Sequence, residues 1–314
     1  MKSYGHPPPI SILIAGAQRS GTTSLLRCLG RHPQIAAHPQ REFSFFVNPK
    51  EYREGYHRAH HRYFGGLAPK PNAKFLLAKS VGIMVRPDAM GRLRAHNPDV
   101  RIVVILRNPV DRAWSAYWFA RRCGLETIGS FEEALTACRN HREDGWIQAG
   151  AVDYLGRGMY HHHLKTLFRR FPPHQISVVI FDDYIRQPDQ VIASLLAGWG
   201  LEVPDGGLDA TRENPTRTTR CPVLSRWLLG HPALGAAIRR MIGDRTADRC
   251  RNLLSGLGDH PFQPPPMDPE TRQRLTNLYR PLNERLSDLL GRDFSNWNRC
   301  SATLASFQQP EDRP

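Results

Sequence analysis

The sequence predicts a P-loop-like three-layer α/β fold, a central parallel β-sheet flanked by helices. Three observations carry that prediction. Short apolar β-rich runs stand at Ile10–Ala15, Arg101–Leu106 and Ile176–Phe181, each of a length that suits a buried strand. Stretches with helical spacing separate them, as parallel strands with crossover helices require. A glycine-bearing turn follows the first run.

Pro9 and Gly16 bound the first strand, and the helix Thr22–Leu29 puts Leu25, Leu26 and Leu29 on one face before Gly30 and Pro33 stop it. From His38 to Lys74 the chain is rich in aromatics, prolines and histidines, and loops with short helices are expected there. Pro109 fits the first turn of a helix that runs to about Arg122. Leu164, Leu167 and Phe168 give helical spacing to Tyr160–Phe171, a helix lies near Val191–Trp199, and from about residue 214 the chain turns helical and arginine-rich. Glu270–Leu290 reads as a long amphipathic helix with Leu275, Leu278, Leu282, Leu286 and Leu289 on one face. One domain is expected over residues 1–298, with a disordered tail over 299–314.

At 314 residues the chain can bury a substantial core without metal or disulfide support. The formal net charge of +14 suits an anionic partner. Nucleic acid is not favoured, because recognition-helix motifs, zinc spacings and aromatic-studded basic strands are absent from the sequence. The six cysteines are dispersed, with no C-x-x-C pair, as in a reduced, cytoplasmic protein. The N-terminal apolar run Ile10–Ala15 is too short for a signal core or a membrane span. A soluble cytoplasmic protein is therefore expected.

Gly16-Ala-Gln-Arg-Ser-Gly-Thr-Thr23 has P-loop spacing between a strand and a helix. Glycines let the backbone wrap a phosphate, its N–H groups point inward, and the helix N-terminus favours negative charge. A kinase would place lysine where Thr22 stands and an acidic metal ligand on a following strand. Here the cation comes earlier, at Arg19, and the strand Arg101–Leu106 runs into Arg107. Cations and amides replace the metal in this pattern.

Two blocks resemble the sulfotransferase family. Gln18-Arg-Ser-Gly-Thr-Thr-Ser-Leu25 is similar to its 5′-phosphosulfate loop, and Leu106-Arg-Asn-Pro-Val-Asp-Arg-Ala-Trp-Ser-Ala-Tyr117 to its 3′-phosphate motif. Arg157–Asp183 and Leu289–Trp297 resemble later segments of glycan-type and bacterial members. The resemblance implies 3′-phosphoadenosine-5′-phosphosulfate (PAPS) as co-substrate, its bisphosphate PAP as product, and no required metal. It implies that Arg19, Ser20, Gly21, Thr22, Thr23 and Ser24 bind the 5′-phosphate and that Arg107 and Ser115 grip the 3′-phosphate. Arg19 departs from the family's lysine, offering a planar fork in place of a point donor. Glu42, just before Phe43-Ser-Phe-Phe46, takes the place of the family's base, and apolar neighbours there would raise its pKa. Lys79 matches a family lysine near the transferred group. A histidine, His57 or His61, is the alternative base.

Arg212, Arg217 and Arg220 are candidates to close over the 3′-phosphate, and Trp114 and Trp146 to stack on adenine. The acceptor is a small molecule or a glycan carrying a hydroxyl or amine, and neither the acceptor nor the oligomeric state follows from the residues. A small-molecule kinase, or a nucleotide- or polyanion-binding protein without turnover, are the competing readings.

Overall fold

The structure is a computed structural model and describes residues 6–39, 42–68, 70–123, 125–143, 153–208, 217–218, 260–261 and 264–299. In chain order its elements are β1 (Ile12–Gly16), α1 (Thr22–Gly30), β2 (Ile35–Ala37), α2 (Pro49–Glu54), α3 (Tyr56–Phe64), β3 (Phe75–Lys79), α4 (Pro87–His96), β4 (Arg101–Leu106) and α5 (Pro109–Arg122). There follow α6 (Phe131–Glu143), α7 (Tyr160–Phe168), β5 (Ile176–Ile180), α8 (Phe181–Arg186), α9 (Pro188–Gly198), β6 (Arg217–Thr218), β7 (His260–Pro261) and α10 (Pro269–Leu290). Two compact units result, one of residues 1–108 and 160–214, the other of residues 109–159 and 215–314.

The first unit holds a five-stranded sheet in the order β2-β3-β1-β4-β5, parallel throughout. On one face Ile12 and Ile14 of β1 and Val103 and Ile105 of β4 pack with Leu25 and Leu29 of α1 and Leu196 of α9. Leu13, Ala15, Ile102 and Val104, whose side chains alternate to the other face, are also wholly buried. Both faces are covered, which is why the strands read as unbroken apolar runs. The predicted α/β class is the observed one.

Local differences have local causes. The first strand starts at Ile12, since the Ile10 N–H is taken by His96 Nε2 at 3.1 Å. Phe181 opens α8 instead of closing β5. β2 and β3 fall at either end of the segment read as loops and short helices, whose two helices are α2 and α3.

In the second unit Val110, Ala113 and Tyr117 of α5 pack with Phe131 of α6, Tyr154, and Leu275 and Tyr279 of α10. Asp268 caps α10 by accepting the Thr271 N–H at 2.8 Å. The buried stripe of that helix runs through Leu275, Tyr279, Asn283 and Leu286, while Leu278 is 43% exposed. Tyr279 takes the place expected for Leu278 because its hydroxyl donates to the Leu155 carbonyl at 2.8 Å.

Candidate active site

All the groups assembled here belong to the first unit. β1 delivers the chain into the loop at Gly16, and α1 leaves it at Thr22. β3 and β4 flank β1, so Lys79, Gly16 and Arg107 stand together at the carboxyl ends of the three central strands. Open α/β sheets bind ligands at that edge.

The loop needs its glycines. Gly21 adopts a φ of 79°, and a Cβ on it would lie 3.1 Å from the Phe181 ring. A Cβ on Gly16 would lie 2.9 Å from Met84 Sδ. Arg19 also has a positive φ, 67°. No side chain caps α1 at Gly21, and its first turn carries no acidic residue. The helix therefore starts without a side-chain cap from its N-cap residue. Ser20 is wholly buried, and its Oγ has no hydrogen-bond partner.

Arg107 is fixed against this loop. Its Nη1 donates to the Arg19 carbonyl at 3.2 Å, and its guanidinium lies 4.9 Å from the centre of the Phe181 ring. The Tyr160 hydroxyl donates to the Arg107 carbonyl at 2.9 Å. Ser24 Oγ and the Tyr184 hydroxyl share a hydrogen bond at 3.1 Å.

On the other side of the loop Lys79, only 3% exposed, donates from Nζ to Glu42 Oε1 at 2.6 Å. The same ammonium reaches Thr23 Oγ1 at 3.3 Å. Glu42 accepts the Val81 N–H on its second oxygen at 3.1 Å, and its side chain is 41% exposed. Phe43, Phe45 and Phe46 point into the core, so Glu42 is surrounded by a cation and solvent, not by the apolar wall expected from its neighbours in sequence.

His38 was not among the expected site residues. It is buried, and its Nε2 accepts the Lys79 backbone N–H at 3.1 Å. Burial, and secondarily the Lys79 charge, pull its pKa down to about 4. Tyr160, Phe181 and Tyr184 were also not among the expected site residues: each meets the loop or its arginine from a distant element.

The remaining expected residues fall elsewhere. His57 and His61 are exposed on α3, and no group of three or more metal-ligating side chains occurs among the described residues. Ser115 lies partly buried on α5 in the second unit. Trp114 of that unit packs against Tyr117, Trp118 and Phe131, and its indole N–H donates to the Pro265 carbonyl at 3.0 Å. Arg217 begins β6, which pairs antiparallel with β7. Arg212, Arg220, Trp146 and the tail from residue 300 lie outside the described residues. No helix of the described residues is long and apolar enough to cross a membrane.

A family model for the sulfotransferase domain matches residues 9–217. The chain belongs to the sulfotransferase family. Among curated relatives, the mouse bifunctional heparan sulfate N-deacetylase/N-sulfotransferase 3 is 25% identical over 296 residues, covering 91% of this chain and 31% of that protein. The chain thus spans about a third of that relative's length. Human heparan sulfate glucosamine 3-O-sulfotransferase 3B1 is 25% identical over 287 residues, covering 90% of this chain and 63% of that protein. Among solved structures, a sulfotransferase from Alicyclobacillus acidocaldarius superposes with a TM-score of 0.67 at 26% identity, covering 93% of this chain and all of that one. The family's sulfuryl donor is PAPS, and the loop of this sulfotransferase-family chain lies within the matched residues.

Proposed function

We propose that the chain moves the sulfuryl group of PAPS to a hydroxyl or amine of an acceptor by in-line transfer. The observation that carries this reading is the pairing of two unlike groups at one strand edge. They are a loop shaped for an anion beside Arg107, and the Lys79–Glu42 pair facing it. The donor's fit rests on the buried, unpartnered Ser20 Oγ and on the cradle that a Cβ at Gly21 would fill. PAPS supplies, when bound, a sulfuryl group attached to a phosphate able to leave.

The chain's own residues do the rest. The backbone N–H groups of Ser20 to Thr23, with the Ser20 hydroxyl, hold the 5′-phosphate at the helix N-terminus. Ser24 contributes its N–H, its hydroxyl being engaged by Tyr184. Arg107 binds the 3′-phosphate, and Arg19 neutralises charge on the leaving side. Glu42 takes the acceptor's proton on a carboxylate oxygen, a role worth roughly 10²–10⁴-fold in rate. Lys79 neutralises the oxygens of the group in transit. With Arg19, Lys79 and the α1 N-terminus supplying positive charge, transfer proceeds without a metal.

A glycan is the favoured acceptor class, because the relatives named above carry heparan sulfate in their names and the chain's charge of +14 suits an anionic polymer. A secondary metabolite is the alternative. Calorimetry with PAP and with ATP, each with and without EDTA, followed by sulfate transfer to an acceptor panel, tests the proposal. PAP should bind regardless of EDTA, and transfer should follow. Tighter binding of ATP with a Mg²⁺ requirement would overturn the reading.

A further inference from the structure

The segment that brings in Glu42 grips the end of β3 through a single residue. The Ser80 N–H goes to Ile14 on β1, so by strand alternation the Lys79 N–H faces the side of β2. There β2 has already ended at Ala37, whose partner is Leu77. The next side chain fills the gap: His38 Nε2 accepts the Lys79 N–H at 3.1 Å. On the same residue the Lys79 carbonyl accepts the Phe43 N–H at 2.7 Å. The end of β3 and the turn after it reply through Lys79 Nζ and the Val81 N–H, which hold the two oxygens of Glu42. Four hydrogen bonds therefore close a ring around the Lys79–Glu42 pair, and His38 supplies the one that β2 no longer can.

We propose that His38 is a positioning residue for the Lys79–Glu42 pair, acting through the backbone of Lys79. Its ring is 2% exposed and stands about 6 Å from Phe43, Tyr63 and Phe64. That box fixes the imidazole's orientation. Its depressed pKa keeps it neutral, with the lone pair on Nε2. Nδ1, which then carries the proton, is buried without a partner. An apolar ring of the same shape would avoid that cost, so what the histidine contributes is its acceptor. Tyr63, which receives the Ser44 N–H at 3.2 Å, ties the same segment to α3.

The proposal rests on the functional reading above, and its test separates the two. His38→Phe keeps a ring and removes the acceptor, whereas His38→Gln carries an acceptor to the reach of Nε2. NMR-detected hydrogen exchange of the Lys79 amide should quicken by about tenfold in His38→Phe, the loss of one hydrogen bond. It should stay near wild type in His38→Gln, and the amides of β4 should not change in either. In sulfate transfer, His38→Phe should lose about ten- to a hundredfold in kcat from the misplaced pair. Its KM for PAPS and its PAP affinity should hold within about twofold, and His38→Gln should recover most of the loss.

Unchanged Lys79 exchange in His38→Phe overturns the proposal. So does a kcat loss shared by His38→Gln or matched by lost PAP affinity, the pattern of a merely structural residue. If His38→Phe fails to fold, His38→Asn, whose amide is too short to reach as Gln does, replaces it in both arms. If the wild-type enzyme transfers no sulfate, the functional reading fails, and the exchange arm alone decides the role of His38.

Discussion

On one side of the phosphate loop, Lys79 and Glu42 meet as opposite charges at 2.6 Å. On the other, the Arg107 guanidinium donates to the Arg19 carbonyl at 3.2 Å and rests on the Phe181 ring. A carbonyl and a ring orient a guanidinium. The first side is a carboxylate held beside a buried cation, suited to moving a proton and steadying an anion in transit. The second is a guanidinium oriented beside the phosphate loop. Under the proposed function the Lys79–Glu42 side carries the chemistry and the Arg107 side the binding, and substitutions on each side should separate kcat from affinity.

Glu42→Gln breaks the comparison hardest if it is wrong. Steady-state assays should show kcat reduced by roughly 10²–10⁴-fold, with PAP affinity nearly intact by calorimetry. Normal turnover would move the base to another residue. Arg107→Ala should do the reverse. It loses a charge-assisted contact of about 1.5–3 kcal/mol, hence about ten- to a hundredfold in PAP affinity. An unchanged Kd would remove Arg107 from the donor site.

The two sides were not equally legible in the sequence. The loop and Arg107 could be read because glycine spacing and an arginine closing an apolar strand are local signals. The other side depends on β2 and β3. β2 is three residues long, too short for any periodicity to register. β3, Phe75-Leu-Leu-Ala-Lys79, ends in a charged residue that nonetheless buries, so the expectation of a lysine near the transferred group came from resemblance rather than pattern. His38 was one histidine in a stretch crowded with them. Only the point where β2 stops beside β3 distinguishes it, and that is a fact of strand pairing. Phe181, Tyr160 and Tyr184 likewise reach the loop and Arg107 through tertiary contacts that no spacing encodes. On α10, Leu278 and Tyr279 both fit an amphipathic stripe, and the Leu155 carbonyl decided between them.

Acidification probes the chemistry side through stability. His38 and His96 each have a pKa pulled down to about 4, chiefly by burial. Both accept a backbone N–H that only a neutral ring can receive, from Lys79 and Ile10 respectively. The unfolded chain takes up protons near pH 6.5 and the folded chain does not. Their contribution is therefore full above that value and lost as pH falls towards 4. Each histidine should cost up to about 1.4 kcal/mol per pH unit across that window. Melting temperatures should fall between pH 6.5 and 4.5, and His96→Gln should flatten part of the fall. A flat profile would mean that neither ring is held neutral.

Gly21→Ala tests whether the binding side is one unit. The φ of 79° costs an L-residue about 1–2 kcal/mol, and the new methyl would stand 3.1 Å from the Phe181 ring. That ring is also the surface under the Arg107 guanidinium. The methyl must therefore displace Phe181, and Arg107 with it, so PAP affinity should fall by about three- to tenfold although neither arginine is altered. If the coupling is real, Gly21→Ala should cost less affinity in an Arg107→Ala background than in wild type, because the contact it disturbs is already gone. Additive losses in that double-mutant cycle would mean that the loop and Arg107 hold the donor independently, and that Phe181 only fills space between them.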